Sequence, residues 1–227
     1  MFYYDDMEFA DDEFSLYLIE KYLDMYFEDI DSIKEKYAPN QIARLLGEQD
    51  ISFFALYYLR EIFVVSDDNE ARELSKAHYE IWDILNDMFV YDEYDKANII
   101  EPRGLAKTTI CNMLLSIWAS VYKKSLFTLV GAKKDDDAKQ FLDGIKIALQ
   151  TSKHLVEEFG VLIDPKQIKP GTVDRYKVNS SEIELLNGTY IRAVGSGTSV
   201  RGAKWGQIRP TIVIGDKKLS VRYRNIA

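Results

Sequence analysis

The stretch Asn98-Ile99-Ile100-Glu101-Pro102-Arg103-Gly104-Leu105-Ala106-Lys107-Thr108-Thr109 runs from a short apolar triplet, through a loop, into a helical pattern. Lys107 to Tyr122 places Ile110, Leu114, Ile117 and Val121 on one face at helical spacing. A loop between a strand and a helix can hold phosphate when several conditions meet. Backbone N–H groups point inward, a helix N-terminus stands behind them, a lysine reaches the β/γ-phosphates and a hydroxyl holds Mg²⁺. Lys107 and Thr108 occupy the last two positions. The fit to G-x-x-x-x-G-K-[ST] is partial, because Glu101 and Ala106 stand at the glycine positions and the glycine falls at Gly104. Without its strand–loop–helix setting, the Lys-Thr pair reads equally well as the start of a surface helix.

The same chemistry calls for an apolar strand ending in a carboxylate that holds Mg²⁺ through water. Thr211-Ile212-Val213-Ile214-Gly215-Asp216 has that form, about 110 residues after Lys107. Between the two lie a short strand, Leu126 to Val130, and a helix opened by Asp135 to Asp137 that carries Phe141, Ile145, Leu149 and, after Thr151, Leu155. Glu182 to Leu186 and Thr189 to Val194 flank Asn187-Gly188, a hairpin signal. Strands alternating with helices predict an α/β domain with a parallel sheet.

The first hundred residues read as helical. From Phe14, apolar residues recur at Leu18, Tyr22, Tyr26, Ile30, Ile33 and Tyr37, one stripe that Pro39-Asn40 interrupts. Ile51 to Phe63 is too apolar all round to be fully exposed. Asp67 and Asp68 stand where they could cap a helix carrying Leu74, Ala77, Ile81, Leu85 and Met88. The organisation expected is a helical segment over 1–95, an α/β core over 96–216 and a basic tail over 217–227.

The chain has 227 residues and a net charge of −8, 47% of its residues hydrophobic and 29% charged, a composition that argues against wholesale disorder. One cysteine excludes an intramolecular disulfide framework, and with two histidines it leaves little for a zinc site. No apolar run reaches the length of a membrane span, and the acidic N-terminus does not read as a secretory signal. The expectation is a cytoplasmic protein that does not engage membranes. Residues 1–31 carry eleven acids and one base, whereas residues 101–227 carry 12 acids and 21 bases. Such asymmetry suggests different partners for the two halves. The basic half can meet phosphate, although solvated lysines explain the charge equally well.

Four features together resemble the large terminase subunit of tailed bacteriophages, the ATPase that drives DNA into the capsid. Ile99 to Thr109 resembles that family's arginine-bearing phosphate loop, and His78 to Leu85 is similar to the helix that precedes it. Gly197-Thr198-Ser199-Val200-Arg201-Gly202 resembles the loop after the hairpin, and Arg209-Pro210 with Thr211 to Asp216 resembles the run into the acidic strand end. The likeness covers roughly residues 45–216.

The resemblance implies an α/β P-loop NTPase fold of the ASCE, RecA-like kind, preceded by an all-helical segment, with ATP and Mg²⁺ as cofactors. Gly104, Leu105, Ala106, Lys107, Thr108 and Thr109 would hold the phosphates, and Thr108 and Asp216 the Mg²⁺, Asp216 through water. Arg103 would lie against the γ-phosphate and stabilise charge developing in transfer. Arg201 is a weaker candidate, for a phosphate or DNA contact or a purely structural role. Double-stranded DNA, the portal protein and the small terminase subunit are the implied partners, and a homo-oligomer is possible for the full-length family.

Two departures bear on activity. The family continues its acidic strand with a further carboxylate that positions the attacking water, and here Asp216 is followed by Lys217-Lys218. Losing such a group costs about 10²–10⁴ in rate. The closing residues through Ala227 match nothing expected of the family, and neither the rest of the ATPase fold nor the nuclease domain follows. The expectation is a truncated or frameshifted phage or prophage frame with an incomplete sheet, weakly active or inactive; unless a partner supplies the missing strands, the sheet's last strand is an exposed edge. Two other readings stay open: a non-catalytic remnant that binds nucleotide or a partner, and another P-loop enzyme such as a helicase-type motor. A small-molecule kinase would need a lid and an acceptor site, for which there are no candidate residues.

The remaining distinctive residues have plain readings. Cys111 is expected in the core, His78 packed or capping, and His154 on the surface. The Tyr22/Tyr26 stripe is expected in the core or on a docking face, since the surrounding negative charge repels nucleic acid. The acidic run before it reads as a solvated tail, with a docking segment for a basic partner as the alternative. Lys133-Lys134 before Asp135 to Asp137 marks a loop and helix start.

Overall fold

The computed structural model describes residues 11–66, 73–100, 109–163, 177–195, 202–215 and 219–223. Six helices come first: α1 (Asp11–Tyr26), α2 (Ile30–Lys36), α3 (Pro39–Gln49), α4 (Ile51–Tyr58), α5 (Arg60–Phe63) and α6 (Lys76–Phe89). Strand β1 (Lys96–Ile99) follows, then a π-helical turn (Thr109–Leu114) that continues into α7 (Leu115–Val121). The rest is β2 (Phe127–Ala132), α8 (Asp135–Thr151), α9 (Lys153–Phe159), β3 (Glu182–Glu184), β4 (Tyr190–Gly195), β5 (Ile212–Gly215) and β6 (Leu219–Tyr223).

The single stripe expected from Phe14 to Tyr37 is divided between two helices. Asp29 accepts a hydrogen bond from Ser32 N at 3.1 Å and starts α2 afresh, so Ile30, Ile33 and Tyr37 reach the core from a second axis. Pro39 opens α3 rather than only interrupting, because a proline at the first helical position loses no intrahelical bond. Ile51 to Phe63 is broken at Leu59, and the apolar residues on every side of α4 are buried, as their composition required. Asp67 and Asp68 lie outside the described residues, and the helix they were expected to cap starts later. At α6, Ser75 N donates to His78 Nδ1 at 2.8 Å, and buried His78 performs the capping role.

Six strands form one mixed sheet in the order β1-β6-β5-β2-β4-β3. Strand β2 runs parallel to both β4 and β5, and β6 is antiparallel to both β5 and β1, so β1, β5, β2 and β4 all point the same way. This corrects two expectations. The sheet is not purely parallel, and β5 is not an exposed last strand, because residues 219–223 turn back and pair between β5 and β1. A connection of a few residues permits only an antiparallel return.

The sheet's two faces are covered differently. Val130, Ala132, Ile191, Ala193, Ile212 and Ile214 join one continuous core with α7, α8 and all the N-terminal helices. The steps β1 to β2 and β2 to β4 move in the same direction across the sheet, which puts their right-handed crossover helices on one face. On the other face Phe127, Leu129, Tyr190 and Val194 pack under Ala203, Trp205 and Ile208. The helical segment therefore docks on the α/β part. Trp118, fully buried, donates from Nε1 to Gly47 O at 2.8 Å, and Tyr122 OH donates to Arg44 O at 3.1 Å. His154 is half-buried rather than on the surface. Its ring stands edge-on to Tyr57, 5.0 Å between centroids, with Arg60 Nη2 at 3.1 Å from Nε2. Cys111 is fully buried, and Tyr22 belongs to the core, as read from the sequence.

Among the described residues no helix is long and apolar enough to cross a membrane.

Candidate functional site

In sheets of parallel strands the carboxyl ends are where ligands bind, because loops there can diverge to leave a crevice. Four strands end at one edge of this sheet: β1 at Ile99, β5 at Gly215, β2 at Ala132 and β4 at Gly195. Asn98 and Gly215 both pair with Ser220, from opposite sides of β6. The next residue of β5's chain is Asp216, and Ile100, 71% exposed, leads β1 into the segment beginning at Glu101. At the ~4.8 Å spacing of neighbouring strands, β1 and β5 lie about 10 Å apart across β6.

Of the residues singled out in the sequence, Thr109 is described: it is half-buried and opens the helical run that ends at Val121. Ile110, Cys111 and Leu114 behind it are fully buried, which fixes this helix against α6 and α8. The helix turns less tightly than expected, with π geometry over Thr109–Leu114. Arg103, Gly104, Leu105, Ala106, Lys107, Thr108, Arg201 and Asp216 lie outside the described residues. The described residues form the frame around them: the strand before the loop, the helix after it, and the strand before the aspartate.

Three glycines at this edge escaped the sequence reading. Gly131 and Gly215 are direct partners on β2 and β5, and a Cβ on Gly131 would come within 3.3 Å of Ile214 O. Gly195 N donates to Asp135 Oδ1 at 2.8 Å, which ties the end of β4 to the first turn of α8. The signal that could have found the first pair is a glycine inside each of two apolar strands, Val130-Gly131-Ala132 and Ile214-Gly215-Asp216. Such a glycine marks close backbone approach. No sequence signal links Asp135 to Gly195, which are 60 residues apart.

Beside β4 lies a cavity of about 270 Å³, lined by Asp135, Lys139, Ser181, Arg192, Ala193 and Val194. It exists because β3 covers only the first half of β4, Tyr190 to Arg192. Its lining mixes one acid with two cations, and Lys139 is already paired with Asp136 at 3.2 Å. It includes none of the residues singled out in the sequence. Among the described residues no group of three His, Cys, Asp or Glu side chains could hold a metal ion.

The hairpin carrying Asn187-Gly188 forms as expected, with Gly188 at φ +85 and Leu185 N bonded to Thr189 O at 2.8 Å. Asn187 itself does not take a positive φ, so the turn is wider than the two-residue kind. On the β3–β4 pair, Tyr190 OH donates to Glu182. Burial alone pushes the Glu182 carboxyl up, but Tyr190, Asn179, Lys177 and Arg192 together outweigh it and hold the carboxyl below its ordinary value. A depressed carboxylate contributes stability above its unfolded pKa and loses it as pH falls through the folded one. Tyr190→Phe is therefore expected to destabilise the chain by about 1–2 kcal/mol at neutral pH, a charge-assisted hydrogen bond's contribution. The difference should shrink below pH 4, which urea midpoints measured across pH would check.

No family model, curated protein or solved structure matches this chain.

Proposed function

We propose that this chain binds a nucleoside triphosphate with Mg²⁺ at the carboxyl edge of its sheet, as the ATPase part of a terminase-like DNA-packaging motor. The observation that supports this reading most is the disposition of β1 and β5. They are parallel, one strand apart and level at Asn98 and Gly215. The loop bearing Lys107 and the aspartate at 216 thus leave the same edge, and a helix buried along its length receives that loop.

The donor set suits the ligand. A hydroxyl and a carboxylate are the hard oxygen ligands that Mg²⁺ takes, and lysine, arginine and helix N-terminal N–H groups are phosphate donors. Lys107 and the amides of Gly104 to Thr109 would hold the phosphates. Thr108 would ligate the metal directly and Asp216 through water, and Arg103 would face the terminal phosphoryl group. Bound Mg²⁺ would neutralise charge on the phosphates. Lys217 in place of a second carboxylate leaves no side chain next to Asp216 to orient an attacking water, so binding is expected to outlast turnover. Duplex DNA as the moved substrate, with the portal and small terminase subunits as partners, follows from the resemblance alone.

The test is binding of a fluorescent ATP analogue with Mg²⁺ to the intact chain and to Lys107→Ala. Loss of a charged hydrogen-bond donor to phosphate should weaken binding about 10–100-fold. Equal affinity in the two proteins would sink the proposal. Mg²⁺-dependent hydrolysis that disappears in Lys107→Ala would show that a carboxylate at 217 is dispensable.

A further inference from the structure

Most buried polar side chains among the described residues are matched within the protein. Asn86 Oδ1 accepts from Ile51 N at 2.8 Å, and Thr189 Oγ1 donates to Asn187 Oδ1 at 2.8 Å. The Ser125 hydroxyl bonds those of Thr211 and Thr128 at 2.7 and 3.1 Å. The helix that runs from the π turn through α7 is different. Asn112, Ser116 and Ser120 are all fully buried. Asn112 Nδ2 and Oδ1, Ser116 Oγ and Ser120 Oγ find no hydrogen-bond partner among the described residues. Tyr58 OH and Trp82 Nε1 also lack one, but each is a single atom on a ring packed against other rings.

The three residues follow one another at intervals of four, so they form one stripe along the helix. Trp118, two residues from each serine, stands on the opposite side and donates to Gly47 O. The stripe therefore faces away from α3. Serine or threonine in a helix often returns its hydroxyl to the carbonyl four residues back, as Thr151 does to Ile147 O at 2.9 Å. Neither serine of the stripe does so. An amide and two hydroxyls buried without partners are strongly unfavourable, and ordered water is what ordinarily meets such groups. Each of the three side chains both donates and accepts. Two serines and a π turn, wider than an α turn, bring little side-chain bulk to this side of the helix. Four residues of helix advance about 6 Å, and one water bonded on both sides at about 2.8 Å spans nearly the same distance. The stripe is neutral, and Ile110, Leu114 and Ile117 on the same helix are fully buried, so it matches neither an ion nor a large polar ligand.

We infer that the buried face of this helix binds a file of ordered water, about one molecule to each four-residue interval from Asn112 to Ser120. Asn112 lies one turn after Thr109, so the file ends behind the loop of the candidate site. The helix is fastened on this side through water and on the other by Trp118 to Gly47. The inference does not depend on nucleotide binding.

The test is water–protein NOE and ROE spectroscopy on the intact, isotope-labelled chain. The side-chain amide protons of Asn112 should show cross-peaks to water that reverse sign between the two experiments, as contact with a long-lived water does and proton exchange does not. A second measurement is the urea midpoint of Asn112→Leu, which exchanges the amide for an apolar group of similar volume. With water in the stripe, leucine removes its partners and the midpoint should fall, although leucine is the better helix former. In a dry stripe, leucine relieves a buried orphan amide and the midpoint rises. Cross-peaks that are absent or keep their sign, or a midpoint that is raised or unchanged, would each overturn the inference. Should Asn112→Leu fail to fold, the spectra of the intact chain decide. Lys107→Ala should lose nucleotide and leave the water cross-peaks unaltered, so failure of either reading is seen separately.

Discussion

Gly195→Ala is expected to destabilise the protein by about 3 kcal/mol, at the upper end of what overpacking a closed site costs. A methyl group there would sit 2.6 Å from the backbone nitrogen of Asp135 and closer still to that residue's Oδ1. The obstacle is main chain at the start of a 17-residue helix, so a side-chain rotation cannot relieve it. Either β4 or the first turn of α8 must move, and the 2.8 Å bond from Gly195 N to Asp135 would be lost with it. Gly144→Ala is the matched control. Its Cβ would meet nothing closer than Met113 Sδ at 3.8 Å, and the interior of α8 should gain about 0.5–1 kcal/mol. Urea midpoints of the two variants should move in opposite directions. A Gly195→Ala midpoint equal to that of the intact chain would mean that β4 does not end against α8 as described.

Asp50→Ala is expected to cost at least about 3 kcal/mol, combining a lost N-cap with orphaned buried donors. The Asp50 side chain is 3% exposed and accepts four hydrogen bonds. Ser52 N at 2.6 Å and Phe53 N at 2.9 Å are the free donors at the head of α4, and the Ser52 and Tyr26 hydroxyls complete the set. Tyr26 comes from α1, so the carboxylate caps one helix and fastens another. Burial, with Asp50 next, pushes the Tyr26 phenol far above its ordinary pKa, so it stays a donor across the accessible pH range. Asp50→Asn retains an acceptor for the α4 amides and should cost less than half as much. Equal losses for Ala and Asn would show that the charge, rather than the cap, carries the stability.

Local physics made much of the architecture legible. Helical spacing located the cores of α1, α6, α7 and α8, because the apolar face of each meets the same core. Asn187-Gly188 located a hairpin, because only Gly188 accepts the backbone the turn needs. Ser75 illustrates the limit. Asp67 and Asp68 are equally good caps by residue type, and the start of α6 was decided by whether His78 could reach back to Ser75 N. His154 shows the same from the other side, since a lone histidine in a charged helix reads as exposed until Tyr57 and Arg60 cover it.

The sequence by itself determined that residues 96–159 alternate strand and helix and that a hairpin follows them, that a helix-rich segment precedes them, and that a Lys-Thr pair follows one strand while an aspartate follows another. Those are statements about neighbours in the chain, where side-chain periodicity and turn chemistry act. Tertiary structure alone decided the strand order. Pairing between β1 and β6 joins residues more than a hundred positions apart, and no local preference of Leu219 to Tyr223 names its partners. The return of residues 219–223 between β5 and β1 sets the distance between the two strands of the candidate site. The approach of Asp135 to Gly195 and the stacking of Trp205 on Tyr190 are likewise contacts between surfaces that exist only once the sheet has formed.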